Sequence, residues 1–471
     1  MMLLTTLWLD PQGKLPMYRQ LITLIKKAMQ EGDLVSGQKL PSIRSLAKAL
    51  GVSRITVEIA YSQLLEEGFL ISKPKQGYYA ADLRDIQGRL PLFAEAKEAA
   101  TPANEPPAVR YNFRSYGVEN DSFNMSVWRR YLHNALKQPE LLTSYGPYQG
   151  EPRLLYTLAK YSDEARDVRC SPQQIVVGAG TQSLLHILCG ILEVYNSNLT
   201  TIGIQAPGFF QAEQIFRDHH YQIRSFSLAE LEDEQARLPE LICINPSNPY
   251  RGEAVTATQR LNLLGRAVQQ GALLLEDDYI GEFRYLLRPL PSLQSLDRGE
   301  SVIYLGSFSR TMLPSLRISY MVLPHCLLPA YREIGSRYNQ TASGMEQLAL
   351  ADFIADGHLN RHIRRLRRIY DLKSQHLRQA LAHHFPQGLT VPSYESGLRL
   401  LLLAASKENA QSLADRALDE GVALIPLSET IENKKDPSRP LRQLMLSYAA
   451  IPEKDILPAV ETLKNAWEPV L

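Results

Sequence analysis

Between Arg84 and Arg110 the chain runs through a Pro-, Ala- and Glu-rich stretch (LPLFAEAKEAATPANEPPAVR) with no sustained apolar period of two or 3.6. Such a stretch reads as a linker, partly extended by its prolines. It divides the 471 residues into a front module of about 80 and a body of about 360. Those sizes suit one small domain and one larger, two-lobed domain. The expected boundaries are 1–83, a linker over 84–109, and 110–471. No internal repeat interrupts this plan.

Charge is nearly balanced, with 51 Lys and Arg against 50 Asp and Glu, and 45% of residues are apolar. That excludes a wholly disordered chain and a strongly basic one. The balance is uneven along the chain: residues 1–82 hold ten basic and seven acidic side chains, so any nucleic-acid contact is expected at the front. Cys170, Cys189, Cys243 and Cys326 are far apart and form no C-x-x-C pair, which indicates neither a disulfide framework nor a zinc site. The longest apolar run, Leu398–Ala405 around Arg399, has the length of a strand and is too short for a membrane helix. The start, MMLLTTLWLD, lacks a basic segment and a small-residue cleavage site. A cytoplasmic protein without a membrane partner is expected.

In the front module, Leu21, Ile25 and Met29 recur at i, i+4, i+8 within Met17–Glu31, and Gly32 follows as a stop. Ser42 can cap a second helix carrying Ile43, Leu46, Ala47 and Leu50, which Gly51 ends. Ser53 can cap a third helix with Val57, Tyr61 and Leu64 inward. Phe69–Ser72 and Tyr78–Ala80 read as short strands around Lys73-Pro74-Lys75-Gln76-Gly77. Two short helices about a Gly-containing turn, followed by a hairpin, form a winged helix-turn-helix. With the third helix in a major groove, Ser53, Arg54 and Thr56 meet the DNA. Arg44, Lys73, Lys75 and Gly77 reach phosphates or a groove edge. A small bundle serving protein contacts is the competing reading; the clustering of polar and basic residues at the helix starts and wing tip favours DNA.

Residues 14–80 resemble a GntR-type winged helix, through the LP-Y-Q opening (Leu15, Pro16, Tyr18, Gln20), the LPS-R-LA-LGVSR-TV-AY-L-EG core and the QG wing. That resemblance implies operator contacts at Arg44, Arg54, Thr56 and Gly77.

The body alternates strand-like runs with helical stretches: Ile175–Val177, Thr201–Ile204, Leu241–Ile244, Ala272–Glu276, Val302–Leu305 and Tyr320–Leu323. This predicts an α/β sheet covered on both faces, with ligands at the strand C-ends. Gly178-Ala179-Gly180-Thr181-Gln182 opens a helix whose N–H groups can cradle a phosphate, although such turns also arise from packing. Asn245-Pro246-Ser247-Asn248-Pro249 is rich in side-chain donors and compatible with an ordinary turn. Glu276-Asp277-Asp278-Tyr279 offers carboxylates to either a metal or a cationic ring. The absence of nearby, well-spaced ligands argues against a metal. His358 and His362 lie at i, i+4 but lack the Glu of H-E-x-x-H, and Arg361, Arg364, Arg365, Arg367 and Arg368 beside them read as a solvated basic face. A second DNA contact there is the minority reading.

With Gly306-Ser307-Phe308-Ser309-Arg310-Thr311 and Arg317 added, these turns resemble a fold-type-I, pyridoxal-phosphate-dependent aminotransferase. Behind a GntR-type winged helix they resemble the MocR/GabR family of transcription regulators along nearly the whole chain. The resemblance implies that Gly180, Thr181, Gln182, Ser307, Ser309 and Arg317 hold a cofactor phosphate and that Phe209 stacks on the ring. It further implies that Asn248 and Tyr279 bond the phenolic oxygen and that Asp277 pairs with the ring nitrogen. The family's Schiff-base lysine falls on Arg310, and no lysine occurs between Lys160 and Lys373. A guanidinium, with a pKa above about 12, offers no neutral amine to an aldehyde. Pyridoxal 5′-phosphate or a related phosphorylated ligand is therefore expected to bind without a covalent link. The family's carboxylate-clamping arginine falls on Met445, with Arg442 on the opposite strand face. The combined reading is an α/β regulator of operator DNA: an N-terminal winged helix-turn-helix joined by a linker to a fold-type-I aminotransferase-like domain that senses a small-molecule effector. The family implies a head-to-tail homodimer. The alternative is a pyridoxal-phosphate enzyme with residual or altered activity.

Overall fold

The computed structural model describes residues 9–10, 15–74, 76–82, 109–115, 117–119, 122–206, 208–227, 230, 236–246, 255–283, 291–297, 300–392, 397–431, 438 and 440–470. Lys75 and Asn248 lie outside them, as does nearly all of 84–109. Two compact units form, Met1–Glu105 and Pro106–Leu471.

The first unit contains α1 (Met17–Gln30), α2 (Ile43–Leu50), α3 (Arg54–Glu66), β1 (Leu70–Lys73) and β2 (Gly77–Ala80). The Ser42 hydroxyl accepts from the Ser45 N–H at 3.2 Å, and that of Ser53 from the Thr56 N–H at 3.1 Å, so each side chain satisfies a donor the helix start leaves open. Gly51 closes α2 at φ 66°, a left-handed conformation that costs other L-residues roughly 1–2 kcal/mol. Leu21, Ile25, Leu46, Val57, Tyr61 and Leu64 are fully buried together. The Tyr61 hydroxyl reaches the Pro41 carbonyl at 3.0 Å. Strands β1 and β2 pair antiparallel from Leu70↔Ala80 to Lys73↔Gly77.

In the second unit, β3 (Tyr111–Asn112) precedes a seven-stranded sheet of β4 (Ile175–Gly178), β5 (Thr201–Gln205), β6 (Gln222–Phe226), β7 (Leu241–Ile244), β8 (Leu273–Asp277), β9 (Val302–Ser307) and β10 (Ser319–Val322). The order is β4-β10-β9-β8-β7-β5-β6, and β10 runs antiparallel to both its neighbours while the other pairings are parallel. Alternation along β4 sends Val176 into one core with the helix Thr181–Tyr195, and Ile175 and Val177 into another with the helices Pro152–Arg166 and Gly344–Ala355. Both faces are thus covered, as a largely parallel sheet requires. The six strand-like runs of the sequence are all strands; β6 is an addition, and its mostly exposed edge position explains its weak apolar pattern.

The C-terminal part adds β11 (Leu389–Thr390), β12 (Arg399–Ala405), β13 (Val422–Ala423), β14 (Ile425–Ile431) and β15 (Leu441–Ser447). Four of them form an antiparallel sheet, β11-β12-β15-β14, and β13 pairs with β3. The helices His358–His384, Ala410–Asp419 and Glu453–Trp467 share a core with it. Among the described residues no helix is long and apolar enough to cross a membrane.

Candidate functional site

At the start of α3, Ser53 and Arg54 are exposed and the Ser53 and Thr56 hydroxyls lie 2.8 Å apart. Ile55 between them is 66% exposed, an apolar side chain held out beside polar ones. Arg44 is exposed at the first turn of α2. On the wing, the Lys73 ammonium sits 4.6 Å over the Tyr79 ring, and Gly77 adopts φ 109°. Lys39, which the motif reading passed over, joins this cluster: it bridges to Tyr79 and its ammonium lies 6.0 Å from the ring. Its signal was slight, a single lysine before a helix.

In the second unit, a cavity of about 290 Å³ opens at the C-terminal ends of β5, β7, β8 and β9. It brings together Thr181, Gln182, Phe209, Asp277, Tyr279, Ser307, Ser309, Arg310 and Arg317. Gly180 adjoins it as the residue before the helix Thr181–Tyr195, at φ 86°, where a Cβ would collide with the Arg317 guanidinium. Arg317 itself has φ 53° at the end of a short 3-10 turn, a conformation bulky residues adopt only under local constraint. The Ser307 hydroxyl lies 3.0 Å from those of Ser309 and Ser319.

Strand alternation sorts the three adjacent carboxylates. Glu276 accepts the N–H groups of Leu293 and Gln294 at 2.9 and 3.1 Å. Asp278 is locked by Arg166 at 2.5 Å and by the Tyr304 hydroxyl at 2.8 Å. Asp277, between them, points the other way into the cavity. Burial first, and then the charge of Asp278, push its carboxyl up to about 7, while a hydrogen bond from Asn245 opposes the rise. Asn245, three residues before Asn248, is the lining residue that this donor-rich turn supplies among the described residues.

Arg310 is 7% exposed; its Nη1 donates to the Gly117 carbonyl at 3.4 Å, and its guanidinium lies 6.0 Å from the Tyr279 ring centroid. Met445 is buried on β15 and paired with Leu401. Arg442 turns away, donating to the Glu408 carbonyl at 2.7 Å. The cavity nonetheless contains an arginine that the sequence reading missed: Arg399, on the neighbouring strand β12, is 7% exposed and its Nη1 meets the Met445 sulfur at 3.7 Å. Its signal was a lone charge inside an apolar strand-length run, a residue type seldom buried without a task.

His358 and His362 pack edge-on or stacked against Phe353 and Phe123. Burial, with help from Arg365, pulls His362 down to about 4. Among the described residues no three His, Cys, Asp or Glu side chains are grouped to hold a metal ion.

Fold and sites define a winged-helix regulator joined to an aminotransferase-like body. The family described as "Bacterial regulatory proteins, gntR family" matches residues 17–79, and "Aminotransferase class I and II" matches residues 118–463. The chain belongs to this class of GntR-type transcription regulators with an aminotransferase domain. It is 35% identical to the HTH-type transcriptional regulator YdeL of Bacillus subtilis, covering 96% of this chain and 97% of that protein. To the probable rhizopine catabolism regulatory protein MocR of Rhizobium meliloti it is 32% identical, over 98% and 95%. The body resembles the α-aminoadipate aminotransferase LysN of Thermus thermophilus in fold, with a TM-score of 0.65 at 23% identity over 76% of this chain and 92% of that one.

Proposed function

We propose that the body binds a phosphorylated small molecule, pyridoxal phosphate or a close relative, without a covalent link, and reports its presence to the DNA-binding unit instead of transforming it. The observation that carries this reading is Arg310: the position offered to the ligand is a buried guanidinium, and no lysine lines the cavity among its described residues.

The donor set fits such a ligand. The N–H groups at the start of the helix Thr181–Tyr195 remain open for an anion, and the Ser307, Ser309 and Arg317 side chains add donors beside them. Phe209 offers an apolar face, and Tyr279 a hydroxyl. Asp277 accepts a ring N–H, and a cationic partner there would favour its ionised form against the burial that raises it. Pyridoxal phosphate, where it is bound in this fold family, supplies an electron-withdrawing ring; here the Arg310 guanidinium can orient charge but offers no neutral amine to attack a carbonyl.

The reading includes a homodimer, head-to-tail, which would present two recognition helices to two half-sites. The test is isothermal titration of the full chain with pyridoxal phosphate, with spectra before and after borohydride. Saturable binding without hydride-fixed attachment supports the reading. A hydride-fixed adduct on the protein, or turnover of an amino donor, overturns it in favour of an enzyme.

A further inference from the structure

A second cavity of the body, about 180 Å³, shares no lining residue with the first. It is lined from the start of the helix Met125–Ala135 and from the start of the helix His358–His384. Phe353 and Val127 give it an apolar wall. The rest of the described lining is Ser122, Asn124, His358, Arg361, His362 and Arg365, with no acidic side chain among them.

The donors of this set are left open by what surrounds them. His362 is 9% exposed and its ring stands edge to face against Phe123, yet neither ring nitrogen is hydrogen-bonded among the described residues. A buried imidazole normally has such a partner, and the cavity is where one can reach it. Arg365 is exposed and makes no hydrogen bond or ion pair among the described residues. Arg361 is exposed as well; its Nη2 donates to the Asp356 carbonyl at 3.0 Å, which positions the fork without neutralising it. The Asp356 carboxylate is engaged by the Tyr131 hydroxyl. Through its Oδ1, Asn124 accepts the Val127 N–H at 3.1 Å and the Ser126 hydroxyl at 2.7 Å, so its amide hydrogens remain for a further acceptor. Burial, then Arg361 and Arg130, pull His358 down despite Asp356, and burial with Arg365 does the same to His362. Both rings are therefore neutral near pH 7, each with one N–H to give, while the guanidiniums keep their charge.

We infer that this cavity is a second anion site, which takes the phosphate group of a small molecule between Arg361, Arg365 and His362. Phosphate oxygens accept from planar forks in pairs, and the imidazole N–H adds a directed donor from inside. His362 is recessed, so the group that reaches it must be small enough to enter. A duplex backbone passing over the surface would meet the two exposed arginines alone. The inference does not rest on the phosphate reading of the first cavity.

The test is titration of the full chain with inorganic phosphate near pH 7 at constant ionic strength, with carbon-13 at the histidine Cε1 positions. The signals of His358 and His362 are assigned by His358→Gln and His362→Gln. Saturable movement of both signals is expected. The titration midpoint of His362, about 4 without ligand, should climb to about 5 or above, because an anion beside the ring favours its protonated form. A charge-assisted contact is worth roughly ten- to hundredfold in affinity, so Arg361→Gln combined with Arg365→Gln should weaken binding at least about tenfold. Arg364→Gln combined with Arg368→Gln removes the same charge from exposed positions of the same helix outside the cavity, and should change binding by less than about twofold. Signals that stay in place, or move no more with phosphate than with chloride, overturn the inference. Equal weakening in the two double variants overturns it too, because the effect is then the general field of a basic face. Movement with a short DNA duplex and not with phosphate overturns the small-molecule assignment and gives this face to a nucleic-acid backbone.

Discussion

Asp277→Asn should stabilise the ligand-free body above neutral pH while destroying ligand binding. The carboxyl is pushed from an ordinary 3.8 up to about 7 by burial and by Asp278. Its folded-state value is raised, so the folded protein holds a proton that the unfolded chain has already released between those two values. Stability therefore falls as pH climbs from about 4 to about 7, where the full cost is reached. At ~1.4 kcal/mol per pH unit, the whole rise is worth about 4 kcal/mol at most. An asparagine has no such titration, so the difference between the two proteins should be small at pH 4 and grow toward that limit by pH 8. Glu276 and Glu282 are raised by burial as well, but they are common to both proteins and cancel in the comparison. Trp128 and Trp467 are buried in the body, and their fluorescence in urea reports its unfolding at each pH. Saturating pyridoxal phosphate should shift the unaltered protein more at pH 8 than at pH 5, and should not shift the variant. If the variant is less stable at pH 8, or tracks the unaltered protein at every pH, Asp277 is not a buried carboxyl held ready for a cationic partner.

Arg310→Lys should allow borohydride to fix pyridoxal phosphate onto the protein, read by mass spectrometry; no adduct in a protein that still binds the ligand would mean position 310 does not face its carbonyl. Gly180→Ala introduces a side chain at φ 86° and against Arg317. The strain costs about 1–2 kcal/mol, and titration should show at least tenfold weaker binding of pyridoxal phosphate; unchanged binding would remove Gly180 and Arg317 from the phosphate site. In the DNA-binding unit, Arg54→Ala should weaken operator binding by about 1–3 kcal/mol and relax the preference for one base pair. Lys73→Ala should instead weaken all sequences alike and reduce the salt slope by about 0.9. The reverse pattern in salt titrations would exchange their roles.

The parts legible in the sequence are those whose causes are local. Ser42, Gly51 and Ser53 announce helix ends because capping acts within three residues and a left-handed stop within one. The runs at β4, β5, β7, β8, β9 and β10 were visible because strands covered on both faces are continuously apolar. Strand β6 escaped because its edge position leaves four of five residues at least partly exposed. The three carboxylates 276–278 could be located but not ranked. Their separation into a backbone acceptor, an ion-pair partner and a cavity residue depends on Leu293, Arg166 and Asn245, which other elements deliver.

Arg399 shows most plainly where reasoning along one strand stops. At Met445 the strand presents no positive charge, and Arg442, three residues away, is turned by alternation outward to the Glu408 carbonyl. The arginine that lines the cavity lies 46 positions earlier, and only the register that sets Leu401 opposite Met445 places Arg399 on the same face and within 3.7 Å of its sulfur. A sheet surface is defined by neighbours across strands as much as along them. A pocket can therefore take a charged side chain from one strand or from its neighbour without moving any backbone.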